Sequence, residues 1–147
     1  MSSNIEKFNE VVAQIFGVLY SKFPVRICLA PYEIMGYESR GHYSANGEWK
    51  EELKVEDGEY FYYTLRWLYD TGYIVGSISH THDTNVTLSH KGLELLKSVP
   101  KSVDTSKSIG DQLQEAIKDG AKNSAGNLIS SALSTNNVMS IFSSVFG

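Results

Sequence analysis

The stretch from residue 59 to residue 99 constrains the fold more than any other part of the chain. Residues 59–70 read Glu-Tyr-Phe-Tyr-Tyr-Thr-Leu-Arg-Trp-Leu-Tyr-Asp. Phe61, Thr64, Leu65 and Leu68 recur at spacings of three and four, which predicts a helix with these residues on its inner stripe. Asp57 is the expected cap, and Gly72 the expected left-handed terminator. Residues 73–79 then alternate as a strand, residues 80–85 form a polar turn, and Val86-Thr87-Leu88 return. Ser89 is placed to cap one more helix, with Leu93, Leu96 and Val99 on its buried side. A two-stranded hairpin is not stable alone.

The N-terminal segment reads as a clear helix. Ile5, Phe8, Val12, Ile15, Phe16, Leu19 and Phe23 fall on one helical stripe. Ser3 and Glu6 stand at capping-box spacing, and Pro24 ends the run. Val25-Arg26-Ile27-Cys28-Leu29 alternates like a short strand. Pro31 suits the first position of a short helix closed by Gly36. Residues 37–58 read as loop with at most one helical turn, anchored by Trp49, Leu53 and Val55.

Composition divides the chain near Pro100. Residues 1–100 hold 15 of the 17 aromatics and the whole net charge, with 9 bases against 13 acids. Residues 101–147 hold two aromatics, four bases, four acids and ten Ser. The expected organisation is a packed domain over 1–100, a linker over 101–108 and a helical tail over 109–147. In the tail Ser108 caps a helix over 109–134. Ile109, Leu113, Ala116, Ile117, Leu128 and Ala132 lie along one side. Gly110, Gly120 and Gly126 each cost roughly 1 kcal/mol against Ala, so this helix needs a surface to lean on. Residues 134–137 are expected to break it, and Val138, Ile141, Phe142 and Val145 to form a short amphipathic end. The tail reads as a docking element for its own domain, a second copy or another protein. Membrane insertion is the weaker reading, because no Lys or Arg follows Lys122. The fold class expected is mainly α with a small antiparallel hairpin, followed by a helical tail.

Several function classes find little support. The one Cys precludes a disulfide framework, and no secretory signal is visible, so a cytoplasmic location is expected. A net charge of −4 gives no overall attraction to polyanions. No phosphate-cradling Gly loop or nucleophile elbow occurs. His80 and His82 share a strand face but lack a third ligand, so no metal or other cofactor is expected. His42 and His90 have no evident partner. Cys28 sits in an apolar run and reads as core rather than nucleophile. Adjacent Glu51 and Glu52 diverge, which is poor geometry for paired carboxylate chemistry. A non-enzymatic protein with no identified small-molecule substrate is the expectation.

Leu68, Gly72, Tyr73 and Ile74, followed by Leu88, Ser89 and Gly92, resemble the second half of a winged helix-turn-helix domain, and the likeness extends over about residues 5–99. The trailing helices are similar in arrangement to PadR-like regulators, which dimerise through C-terminal helices. The resemblance implies that the helix over 59–70 is a recognition helix and that the hairpin is a wing. The charges point elsewhere. The helix carries one base, Arg66. Residues 73–88 have no Lys or Arg and include Asp83, and residues 48–59 hold six acids against two bases. Phosphate binding draws on Lys and Arg, and no basic footprint is present. Aromatics are abundant instead: Tyr60, Phe61, Tyr62, Tyr63, Trp67, Tyr69 and Tyr73. Filling a core, forming an interface and stacking on bases are all open to them. Tyr62, Arg66 and Tyr69 are the expected anchor patch for a protein partner or second copy, assisted by Leu113, Ile117, Ile141 and Phe142. The alternative is a DNA-binding regulator that gathers Lys22, Arg26, Arg40, Lys50 and Arg66 into one positive surface.

Overall fold

A computed structural model describes residues 3–79, 84–99 and 106–146, with side chains through residue 134. The expectations for His80, His82, Asp83 and most of the 101–108 linker lie outside the described residues, as do the side chains of Ile141 and Phe142.

The described residues form a mainly helical α+β fold with two small antiparallel hairpins. Helix α1 (Asn4–Lys22) begins with the expected capping box: Ser3 Oγ accepts from the Glu6 amide at 3.1 Å, and Glu6 accepts from the Ser3 amide at 3.2 Å. Val12, Ile15, Phe16 and Leu19 form its fully buried stripe. Ile5 departs from expectation and is exposed, because the stripe reaches the protein edge one turn into the helix. Helix α2 (Pro31–Ile34) is a single turn with Pro at its start. Gly36, at φ 89°, closes it as expected.

The segment after α2 corrects the expectation of a loop. It folds into a hairpin of strands β1 (Gly41–Tyr43) and β2 (Trp49–Glu51), with Tyr43 opposite Trp49. The signal was Asn46-Gly47. Gly47 sits at φ 81° and its amide donates to the Ser44 carbonyl at 2.9 Å, closing a turn that few other residues accommodate.

Helix α3 (Val55–Asp70) starts earlier than expected. Lys54 occupies the cap position without a side-chain cap, so Asp57 is not the cap but lies inside the first turn. There Asp57 accepts from the Tyr37 hydroxyl at 2.5 Å and from Lys7 Nζ at 3.2 Å, tying α1 and the loop after α2 to α3. The inner stripe of Phe61, Thr64, Leu65 and Leu68 is buried as expected. Gly72, at φ 86°, ends the helix: its amide donates to Tyr69 O at 3.1 Å and the Tyr73 amide donates to Leu68 O at 2.9 Å, the paired bonds of a Schellman cap.

The Asp57 cluster has a pH signature. The Tyr37 hydroxyl and then Lys7 hold the Asp57 carboxyl below its ordinary range, against the opposing effect of partial burial. A carboxyl depressed in the folded state stabilises above its unfolded pKa, about 3.9, and that contribution fades as pH falls through the folded value. Asp57→Asn is therefore expected to cost about 1 kcal/mol at pH 7 and to show a flatter loss of stability below pH 4 than wild type. Thermal melts from pH 7 to pH 2 would show this. Parallel acid limbs would refute it.

Strands β3 (Ile74–Ile78) and β4 (Thr84–Leu88) pair in register from Ile74↔Leu88 to Ile78↔Thr84. The expected strand near residue 27 is reduced to one bridge, in which Ile27 and Val86 exchange both backbone bonds at 3.0 Å. Cys28, expected in the core, is exposed, because its neighbours Ile27 and Leu29 face inward on the alternating backbone. Helix α4 (His90–Lys97) is capped by Ser89 as expected. It ends two residues early, so Val99 is exposed and Leu95 joins Leu96 inside.

The tail packs on its own domain. Helix α5 (Ile109–Lys118), capped by Ser108, and helix α6 (Lys122–Phe146) both lie against α1. The single helix expected over 109–134 is thus two. Gly120, at φ 70°, reverses the chain between them: its amide donates to Ile117 O, and the Ala121 amide donates to Ala116 O. No break follows at residues 134–137, and α6 continues to Phe146. Ser, Thr and Asn each carry a helix penalty well below that of Gly or Pro, too small to end a helix already begun. Leu113, Ala125, Ile129 and Ala132 share one buried cluster with Phe16, Leu65 and Ile74.

Candidate functional site

The outward side of α3 and the adjoining end of β3 form the candidate interaction surface. With Phe61, Thr64, Leu65 and Leu68 inside, helical geometry forces Glu59, Tyr62, Tyr63, Arg66, Tyr69 and Asp70 toward the other side. The seven aromatics of this region divide accordingly. Phe61 and Tyr73 are buried. Tyr60 is half-buried, and its hydroxyl donates to Asn4 O at 2.8 Å. Trp67 covers the boundary, stacked on Tyr73 at 6.1 Å and edge-on to Phe8 at 5.1 Å. Tyr62 is half-buried against the edge of Phe61. Tyr63 is 75% exposed and Tyr69 40%. Some of these rings complete the core, and others are left over.

Tyr62 and Arg66 meet in a groove of about 390 Å³ lined also by Glu59, Tyr63, Ile78 and Ser79. Arg66 Nε lies 3.3 Å from Asp70 Oδ1, and its guanidinium sits 5.7 Å from the centre of the Tyr69 ring. The structure thus brings the predicted Tyr62, Arg66 and Tyr69 together. Sequence reasoning missed Tyr63 and Ile78. Tyr63 was detectable, four residues after Glu59 and three before Arg66. Ile78 was not, because its place depends on how the hairpin docks beside α3.

The tail residues fare differently. Leu113 is fully buried in the chain's own core, which corrects its assignment to a partner interface. Ile117 is half-buried against α1, where Gly17 lets the two helices approach. A Cβ on Gly17 would lie 2.2 Å from Ile117 Cδ1. Leu113 and Ile117 place their apolar surface in packing within the chain.

The electrostatics weigh against a polyanion. A DNA-reading helix presents its N-terminal residues to the groove. Here the first turn of α3 carries Glu56 and Asp57, followed by Glu59, with no base. These acids suit the helix dipole and would repel phosphate. Of the five bases considered for a positive surface, Arg66 is paired with Asp70, and Arg40 lies 3.6 Å from Glu51. Twenty residues separate α2 from α3, where a helix-turn-helix has a short turn.

Catalytic geometry is equally spare. Glu51 and Glu52 do point apart: Glu51 accepts from Trp49 Nε1, whereas Glu52 accepts from Ser39 and lies 3.3 Å from His42 Nδ1. His42 therefore has the partner that sequence reasoning did not find. Among the described residues no three His, Cys, Asp or Glu side chains converge as a metal site, and no helix is long and apolar enough to cross a membrane. No family model matches the chain, and neither a curated protein nor a solved structure matches it.

Proposed function

We propose that the chain is a winged-helix-like, non-enzymatic module that binds protein through the outer face of α3 and the adjoining end of β3. One observation carries the reading. The surface that a winged helix would turn toward DNA holds exposed tyrosines around an arginine already paired with Asp70. Tyr and Arg are enriched at the energetic centres of protein interfaces, and a partly apolar groove beside them offers a seat for a side chain. The element order supports the winged-helix comparison: α1, the Ile27 bridge, α2, α3, hairpin, α4.

The same order favours the second reading, a DNA-binding regulator, and one pair of measurements separates the two. Purified protein titrated with duplex DNA at 50 and 200 mM salt is expected to bind no tighter than about 10⁻⁵ M, in the non-specific range. Protein partners recovered from the native source are expected to be lost from Tyr63→Ala and Arg66→Ala proteins whose melting temperatures match wild type. Submicromolar DNA binding, salt-dependent and weakened by Arg66→Ala, would overturn the proposal.

A further inference from the structure

The β1–β2 hairpin carries a second exposed aromatic site, distinct from the α3 face. Tyr43 and Trp49 are directly paired residues, so their side chains share one face of the sheet. Their rings meet edge to face at 5.1 Å. Neither is core: Tyr43 is 72% exposed and Trp49 45%. Gly41, on the same face, makes room for the indole, since a Cβ there would lie 2.7 Å from Trp49 Cζ2. Glu51 completes the face. Its carboxylate accepts from Trp49 Nε1 at 3.4 Å and lies 3.6 Å from Arg40 Nε. The arrangement is two nearly perpendicular rings with a carboxylate at their rim.

We infer that this face docks a basic, arginine- or lysine-bearing segment of a partner protein. The inference rests on the protein-binding reading and specifies its partner. Charge complementarity selects the occupant. Ring faces attract cations, most strongly those of Trp and Tyr, and a nearby carboxylate adds to the attraction. Residues 38–52, the hairpin and its approaches, hold four acids against two bases. Among the described residues Glu38 and Glu48, on the approaches to the hairpin, have no ion-pair partner. Lys50 and His42 oppose each other on the reverse face. Arg40 already offsets Glu51, so the unpaired Glu38 and Glu48 set the sign: an acidic segment would meet repulsion from them, and a neutral one would leave those two carboxylates without a counter-charge.

The test uses the full chain and fluorescein-labelled octa-arginine, octa-lysine and octa-glutamate peptides, read by anisotropy at 150 mM salt. Saturable binding of a basic peptide is expected, with none for octa-glutamate. Tyr43→Ala and Trp49→Ala should weaken it at least fivefold, Glu48→Gln about twofold, and Trp49→Phe should restore most of the loss. Unchanged circular dichroism melts would show that the variants fold. Absence of saturable binding to either basic peptide overturns the inference, as does equal binding by wild type and Tyr43→Ala. If Tyr63→Ala weakens peptide binding while Tyr43→Ala does not, this inference fails and the α3 interface stands. Submicromolar duplex binding lost in Arg66→Ala removes the protein-binding reading itself.

Discussion

Gly92→Ala is expected to destabilise the protein by about 3 kcal/mol, lowering the melting temperature by roughly 10 °C. Gly92 lies in the first turn of α4, directly against the end of α3. A Cβ there would sit 2.2 Å from the carbonyl oxygen of Tyr73 and 3.3 Å from Leu88 Cδ2. The carbonyl cannot withdraw cheaply. It accepts the Ser89 amide at 3.0 Å, and its residue forms the Schellman cap of α3. Relief would require α4 to move away from the β3–β4 hairpin and expose Leu96. Gly58→Ala is the matched control. It too lies inside a helix, but an added Cβ meets only Leu53 Cδ2 at 3.5 Å, an ordinary contact. Alanine there should stabilise by up to about 1 kcal/mol through reduced backbone entropy. Opposite signs in thermal denaturation would identify close approach, rather than helix propensity, as the reason for Gly92. Equal shifts would refute that explanation.

Removing residues 101–147 is expected to abolish cooperative folding of the remainder. Ile109, Leu113, Ala116, Ala125, Ile129, Ala132 and Leu133 are buried in the cluster that contains Phe16 and Leu65. At about 1.5–3 kcal/mol for each large side chain, their burial amounts to on the order of 10 kcal/mol. That is comparable with the whole stability of an ordinary domain. The truncated chain would also expose apolar residues of α1 and should aggregate. Leu113→Ala is a gentler form of the same test. With the side chain fully buried, it should cost roughly 3 kcal/mol while leaving the fold intact. Recovery of a 1–100 fragment that melts cooperatively near the full chain's temperature would show that α5 and α6 are dispensable.

The packing of α5 and α6 on α1 bears on how a composition boundary is read. The polar stretch after Pro100 marks a change in chemistry, from aromatic-rich to Ser-rich. That change says nothing about where the later helices lean. Gly126 packs on α1 at close range beside Asn9 and Glu10, as Gly17 and Ile117 do across the α1–α5 contact. Their partners lie about a hundred residues away in the chain, so no local pattern names them.

The interaction surface divides in the same way. Tyr62, Arg66 and Tyr69 were identifiable because they lie off the apolar stripe of a strongly periodic helix. Ile78 and the groove it borders depend on the seating of the hairpin. The Tyr43–Trp49 pair was missed because its strands are three residues long, too short to establish a period. Only Asn46-Gly47 announced the turn.

What the chain's own order of residues determined was local. Capping by Ser3, Ser89 and Ser108, reversal at Gly36 and Gly72, and the inner stripes of α1 and α3 all follow from interactions within four or five residues. The tertiary structure alone decided the rest: that Gly120 ends a helix rather than interrupting one, that Leu113 is core, and that Ile78 closes a groove with Tyr62 and Arg66. These outcomes depend on which apolar surfaces find each other. Hydrophobic burial has no direction and no memory of sequence distance, so it is settled only when the whole chain packs.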